Sequence, residues 1–258
     1  MPDARITQLL ELATHAIARA VEYAIGEQEA QGLLVTHLGI RPGIEKRFVD
    51  DEIGRIECLA RMVHVVPPLE QRGGKFVLGL GVSHAPMVSG MRGHEYGKPV
   101  TTMRNYLDSM EKALYVGPKT DEEAPILLAA LRQNMLRLAG ERAAGAHPYF
   151  VPPEHTARAR EILGEGPILA PEQKVLLETD ASRAREIARA NMKTYLGLPN
   201  YRNSLRWLGF GDDDLAGGGS DRLVDAIVAW GDEKAIAERI QAHHDAGADH
   251  VCLQSFRA

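Results

Sequence analysis

Only two cysteines, Cys58 and Cys252, occur in the 258 residues. They offer no metal-ligand spacing and no disulfide framework, and they suit a reducing compartment. No apolar run approaches the ~20 residues of a spanning helix, so no membrane segment is expected. The first stretch, MPDARITQLLELATHAIARAV, lacks the basic flank and the unbroken apolar centre of a secretory signal; a cytoplasmic location is the expectation. An excess of basic charge is lacking as well: 30 Lys and Arg stand against 35 Asp and Glu, the formal net charge is −5 and the pI is near 6.1. That argues against nucleic acid or an anionic membrane as the main partner; a small-molecule substrate is the expectation. There is no GxGxxG opening a helix with an acidic residue ~20 positions on, which argues against a dinucleotide-binding Rossmann enzyme. No His, Cys or carboxylate spacing suggests a metal site.

What remains is ordinary for a soluble globular chain, with 45% hydrophobic and 25% charged residues. The length fits one α/β barrel or one large α/β domain. The organising stretch is Gly74–Pro86, GKFVLGLGVSHAP. Phe76, Val77 and Leu78 form a short apolar run, and Gly79 and Gly81 clear side chains where something approaches the backbone. Ser83 and His84 then follow the strand's carboxyl end, where parallel α/β folds place their chemistry.

Around it, helices and strands alternate. Residues 4–25 read as a helix, and residues 32–40 and 61–66 as short strands. Strands are expected at 76–81, 125–131, 146–150, 174–178 and 250–254. Helices are expected at 98–114, with Met103, Tyr106, Leu107, Met110 and Leu114 on one face, and at 134–143, 153–163, 180–196, 221–230 and 232–246. Asp180 or Ser182, Ser220 or Asp221, and Asp232 are the candidate helix caps. This βα rhythm predicts a parallel sheet, and a TIM-type (β/α)8 barrel explains the long connection before the last strand better than an open sheet. Residues 1–258 are read as one barrel domain, with an atypical part at 1–73, a barrel part at 74–258 and a helical excursion at 197–230.

From about Gly74 to Gln254 the chain resembles the luciferase-like (bacterial luciferase superfamily) oxidoreductases, in particular their coenzyme F420-dependent branch. The runs that carry the resemblance are GKFVLGLGVSHAP, KPVTTMRNYLD, APILLAAL, RLAGERAAGAHPYFVPPEHTARAREILG, APEQKVLLETD, YLGLPNYRNSLRWLGF, DDDLAGGGSDRLVDAIVAWGD and AGADHVCLQ, in the family's order. The resemblance implies a barrel that binds F420, or alternatively FMN, at the carboxyl ends of its strands and moves a hydride to or from an organic substrate. It implies a homodimer. It places His84 near the reacting ring, Gly81 and Ser83 beside it, and Ala129, Ala130, Leu131 and Arg132 under the cofactor's side chain. His147, Tyr149 and Phe150 fall near the cofactor's phosphate and the mouth. Leu131-Arg132-Gln133 departs from the glycines usual there; its bulk would narrow the channel, or Arg132 would pair with a phosphate. Residues 1–73 do not match the family's first three βα units, and the expectation is alteration by truncation, a mis-assigned start or a shifted reading frame.

Each candidate has a plainer reading. His84 is a general acid or hydrogen-bond donor, or else a loop histidine bonded to a carbonyl. Ser83 bonds a ring carbonyl or merely its own turn. His147 faces either the barrel mouth or the helix layer, and Tyr149 and Phe150 line a ligand or belong to the core. Asn200 and Tyr201, in the excursion, contact substrate or pack on the surface. Gly217–Asp221 cradles a phosphate or simply leads into a helix with Ser220 or Asp221 as its cap. His243 and His244 are expected to be solvated.

Overall fold

The computed structural model describes residues 77–114 and 124–256, all within one compact unit, Met62–Ala258. The helix read at 4–25, the strands at 32–40 and 61–66 and the departure at 1–73 lie outside the described residues.

The first described strand, β1 (Leu78–Leu80), is followed by a short π-helical turn (Pro86–Met91) and α1 (Pro99–Lys112). β2 (Ile126–Leu128), α2 (Gln133–Arg142), β3 (Gly145–Ala146), α3 (Pro153–Leu163) and β4 (Ile168–Leu169) come next. Then come β5 (Glu172–Leu177), α4 (Ala181–Leu196), α5 (Pro199–Trp207), the single turn α6 (Asp212–Leu215) and α7 (Asp221–Ile227). β6 (Val228–Gly231), α8 (Glu233–Asp245) and β7 (Cys252–Ser255) end the described chain.

Among the described residues every strand pair is parallel. β1-β2-β3-β4 form one sheet, and β5 is flanked by β6 and β7 in the other. Leu78 stands opposite Ile126, Leu127 opposite Gly145, and Glu172 opposite Cys252. Parallel strands keep all carboxyl ends on one side, so the loops after β1, β2 and β3 meet there. This is the α/β fold with a parallel sheet that the βα rhythm predicts.

The caps explain why the helices start where they do. Asp180 accepts from the Arg183 amide, Ser220 from that of Leu223 and Asp232 from that of Ala235. Pro99, Pro153 and Pro199 occupy first helical positions, where their missing N–H has no intrahelical role. Gly145 is fixed by crowding: a Cβ there would lie 1.9 Å from the Ile168 carbonyl oxygen.

Several expectations are corrected. The helix read at 221–230 ends at Ile227, and Val228–Gly231 is a strand beside β5; four residues carry no period that separates the two. The strand read at 146–150 stops at Ala146, because Pro148 cannot continue the ladder. β4 has no counterpart among the expected strands, and β5 begins two residues before the expected 174, taking in Glu172. On α1, Met103 and Leu107 are buried but Tyr106 is exposed, and the helix read to 114 ends at Lys112, leaving Leu114 exposed beyond it. His243, expected in solvent, is fully buried, while His244 is exposed.

Candidate functional site

The loops at the carboxyl ends of β1, β2 and β3, capped by α5, enclose a cavity of about 1090 Å³. Gly81, Val82, Ser83 and His84 supply one wall after β1. Ala129, Ala130, Leu131 and Arg132 supply the floor after β2. His147 and Tyr149 enter from β3, and α5 contributes Asn200, Tyr201, Asn203, Arg206 and Trp207. The cavity thus gathers nearly all the residues that the sequence singled out, from segments far apart in the chain.

Ser83 adopts a left-handed backbone, φ +58°, and the Tyr96 hydroxyl donates to its carbonyl at 3.1 Å. Such a conformation costs about 1–3 kcal/mol in a non-glycine residue and persists only where neighbours impose it. It turns the chain so that His84 follows into the cavity wall, with its ring centroid 5.4 Å from that of Tyr201. Burial holds the His84 pKa below the ordinary imidazole value, so the ring is neutral at neutral pH.

His147 lies in the wall rather than in the helix layer, and its Nδ1 is 2.6 Å from the Ala170 carbonyl oxygen. Tyr149 beside it presents its ring. Its hydroxyl donates to Gln254 Oε1 (2.6 Å) and accepts from Lys174 Nζ (3.0 Å) and the Tyr195 hydroxyl (2.7 Å). Lys174 can only donate and the amide oxygen can only accept, so both lone pairs and the proton of Tyr149 are committed. Burial, with the Tyr195 bond, drives the Tyr149 phenol pKa far up; burial pushes that of Tyr201 up to about 12. Tyr149 is a wall, not an acid.

Phe150 is not brought into the cavity. It is buried, in a left-handed conformation (φ +63°), with its ring stacked 5.0 Å from Tyr195. Its amide donates to Glu172 Oε2 at 3.0 Å. Leu131 is also buried, and its carbonyl accepts from His155 Nε2 at 2.7 Å, so the bulk of the loop after β2 is turned inward. Arg132 is exposed at the cavity edge and makes no ion pair among the described residues. Gly217, Gly218 and Gly219 lead into α7 while Arg189 donates to the Gly219 carbonyl at 2.8 Å. That loop is a capped helix entry, away from the cavity.

Sequence reasoning missed Glu172 and Lys174, which lie buried beneath the cavity wall with Lys174 Nζ 3.7 Å from Glu172 Oε1. The Lys174 ammonium also sits over the Tyr149 and Tyr195 rings, 4.9 and 4.6 Å from their centroids. Burial raises the Glu172 pKa, with the lysine opposing. The signal was present: charged residues two apart, in a strand otherwise buried, share one face. Among the described residues no cluster of three or more His, Cys, Asp or Glu could hold a metal, and no helix is long and apolar enough to cross a membrane.

A family model described as luciferase-like monooxygenase matches residues 70–250. No curated protein sequence matches the chain. Among solved structures, an F420-dependent secondary alcohol dehydrogenase in complex with an F420-acetone adduct is similar at TM-score 0.55 and 13% identity, over 76% of this chain and 69% of that one. The oxygenating constituent of 3,6-diketocamphane monooxygenase from Pseudomonas putida, a type II Baeyer-Villiger monooxygenase in complex with FMN, is similar at TM-score 0.53 and 20% identity, over 76% and 69% of the two chains. The coenzyme F420-dependent tetrahydromethanopterin reductase from Methanopyrus kandleri gives 0.50 and 17%, over 76% and 73%. At these identities the likeness to the solved structures is one of fold.

Proposed function

The chain belongs to the luciferase-like monooxygenase family, and from that premise we propose that it is an oxidoreductase holding coenzyme F420 at the carboxyl ends of β1, β2 and β3. On this reading it exchanges a hydride between F420 and a small organic substrate. The observation that carries the reading is the cavity's chemistry: among its described lining residues there is no carboxylate, while two histidines, two arginines and the amides of Gln133, Asn134, Asn200 and Asn203 face it.

The residues fit a flat, phosphorylated ring system. A Cβ on Gly81 would lie 3.1 Å from that of Ala129, so strand ends and small side chains leave a smooth floor where a larger residue would intrude. The volume of about 1090 Å³ is at the upper end of the roughly 300–1,000 Å³ usual for ligand sites, room for a cofactor and a substrate together. Gly81, Ser83, Ala129 and Ala130 would lie against the ring, His147 and Tyr149 would wall it, and Arg132 offers its guanidinium to a phosphate. Asn200 and Tyr201 stand on the substrate side.

When bound, such a cofactor supplies the hydride chemistry. The chain's part is to exclude water, orient, and stabilise charge. His84, kept neutral by burial and steadied by Tyr201, donates a hydrogen bond where negative charge develops as the hydride moves. We further propose one barrel domain, a cytoplasmic location and a homodimer.

The test is titration of the purified full-length protein with F420 and FMN side by side, read by fluorescence quenching. Expected is a Kd on the order of micromolar for F420 and weaker binding of FMN. Tighter binding of FMN would replace the deazaflavin with a flavin in this reading, and binding of neither would overturn it.

A further inference from the structure

We infer that Trp207 is the specificity-determining wall of this cavity, setting the size of the apolar group it admits, and that Arg158, behind the wall, is the residue that positions it. This rests on the reading above only in taking the cavity as the substrate site, not on which cofactor is held there.

Helix α3 has two working faces. Thr156 and Arg160, four residues apart, share one of them. The Thr156 hydroxyl is 2.8 Å from His243 Nδ1 on α8, and Arg160 donates to the Gly247 carbonyl (2.9 Å) and to Asp249 Oδ2 (2.7 Å). His155 and Arg158, three apart, share the adjoining face and reach the walls of the cavity. His155 Nε2 donates to the Leu131 carbonyl at 2.7 Å, and its ring meets the Trp207 indole edge to face, 5.7 Å between centroids. Arg158 Nη1 donates to the Trp207 carbonyl, and its guanidinium carbon lies 5.4 Å from the centre of the indole. α3 is thus tied to α8 and to the loop before β7, and from that footing it carries two side chains that hold Trp207.

Trp207 is the last residue of α5, and the carbonyls of a last helical turn lack intrahelical partners. A guanidinium there completes a hydrogen bond, complements the helix dipole and lies against an aromatic ring. Arg158 makes no ion pair among the described residues, so its one side chain is given over to the backbone and the ring of Trp207. The indole N–H of Trp207 has no hydrogen-bond partner among the described residues, whereas that of Trp230 donates to Asp225 Oδ1 at 2.8 Å. Contacts from α3, rather than a hydrogen bond of its own, therefore seat the Trp207 ring. The other end of α5 is held differently: Tyr201 sits among Tyr149, Phe150 and Tyr195, 5.5 to 6.2 Å between centroids.

Val82, Val100, Ala130, Met135 and Trp207 all line the cavity and pack into one apolar cluster. They come from the turn after β1, from α1, from the loop after β2, from α2 and from α5. Side chains of this kind give van der Waals contact and no charge, so they suit an apolar part of the substrate. Trp207 is the largest of the five, and a shift of its ring changes the room more than a shift of any other. The tyrosines of the lining have separate anchors. The Tyr149 hydroxyl has three partners, that of Tyr96 donates to the Ser83 carbonyl, and Tyr201 is wedged among rings. One carbon more or less in a filled apolar pocket changes discrimination roughly 10–200-fold, and here the ring that meets that carbon is set from behind by Arg158.

Two neutral ring probes, 1-aminonaphthalene and N-phenyl-1-aminonaphthalene, test this on the full-length protein, with affinity read from their own emission. Energy transfer from tryptophan to a bound probe should be lost in Trp207→Phe, which places the probe beside the indole. Trp207→Ala should shift the affinity ratio of the two probes at least about tenfold towards the larger. Arg158→Met should shift the ratio in the same direction and alter the tryptophan emission, and adding Trp207→Phe should abolish that change in emission. Arg158→Lys, which keeps a donor for the Trp207 carbonyl, should restore most of the wild-type ratio. Arg158→Met combined with Trp207→Ala should shift it no further than Trp207→Ala alone, because Arg158 acts through the indole. A ratio unchanged by Trp207→Ala, or no transfer from Trp207 to either probe, overturns the wall. Additive shifts in the double variant overturn the positioning role, as does an Arg158→Met protein with a lower thermal midpoint but wild-type ratio and emission. If the probes behave as expected while F420 and FMN both fail to bind, the cofactor reading falls and the wall stands.

Discussion

Mild acid should destabilise this protein, and two buried histidines set the size of the effect. His243 is fully buried, with Nδ1 2.8 Å from the Thr156 hydroxyl and Nε2 2.9 Å from Gln173 Oε1. The Gln173 amide nitrogen is already donating to the Lys174 and Ile227 carbonyls, so its oxygen faces His243, which donates from Nε2. Burial keeps the ring neutral at neutral pH, and its Nδ1 then accepts from the Thr156 hydroxyl. His155, also fully buried, donates from Nε2 to Leu131, and its Nδ1 has no partner among the described residues. Burial lowers both pKa values from 6.5 to about 4. The unfolded chain therefore binds more protons than the native one below 6.5. The stabilisation is complete above that pH and drains away as pH falls towards 4. At about pH 5 the loss is on the order of 2 kcal/mol per histidine, about 4 kcal/mol together. That is a large part of the roughly 5–15 kcal/mol that holds a typical domain. Asp108, Asp212 and Asp225, whose pKa values are lowered by Arg142, Arg206 and Arg185, lose their contribution only at lower pH. Glu172, raised by burial, works in the opposite sense but equally in every variant. The assay is urea unfolding followed by tryptophan fluorescence at about pH 7 and about pH 5. His243→Gln, which can still donate to Gln173, should be less stable at neutral pH yet lose only about half as much on acidification. Equal acid losses in wild type and variant would refute the reasoning.

Two further outcomes follow from packing. Gly145→Ala should prevent folding or cost more than about 4 kcal/mol, because its Cβ would lie 1.9 Å from the Ile168 carbonyl oxygen in β4; soluble yield and thermal midpoint check this. Lys174→Met should cost about 3–5 kcal/mol, since it strands the buried Glu172 carboxylate and removes a donor from Tyr149 and Gln254. Lys174→Met combined with Glu172→Gln should recover part of that loss in the same unfolding assay.

Local chemistry made much of this molecule legible in the chain. Pro153–Leu163 begins at a proline and ends before a glycine, and its bounds are those the sequence predicts. Asp180, Ser220 and Asp232 cap the helices they precede, because a cap is a contact across three residues. The glycine-rich turn after β1 and the long family-like runs pointed to the loops that meet at the cavity. β3 and β4, at two residues each, were not bounded or not seen, since a strand that short has no alternation to read.

The sequence by itself determined the βα rhythm, the parallel sheet, the family and the set of residues worth watching, all of which depend on neighbours in the chain. Only the tertiary structure decided where each of those residues lies. Among ten histidines, it turned His84 and His147 to the cavity and sealed His155 and His243 behind it. It withdrew Phe150 into the core and left Tyr149 as wall. It set Lys174 against Tyr149, Tyr195 and Gln254, residues up to 80 positions away. The reason is physical: which way a side chain faces at a strand end is fixed by register and by partners brought from other strands, and no local pattern carries that information.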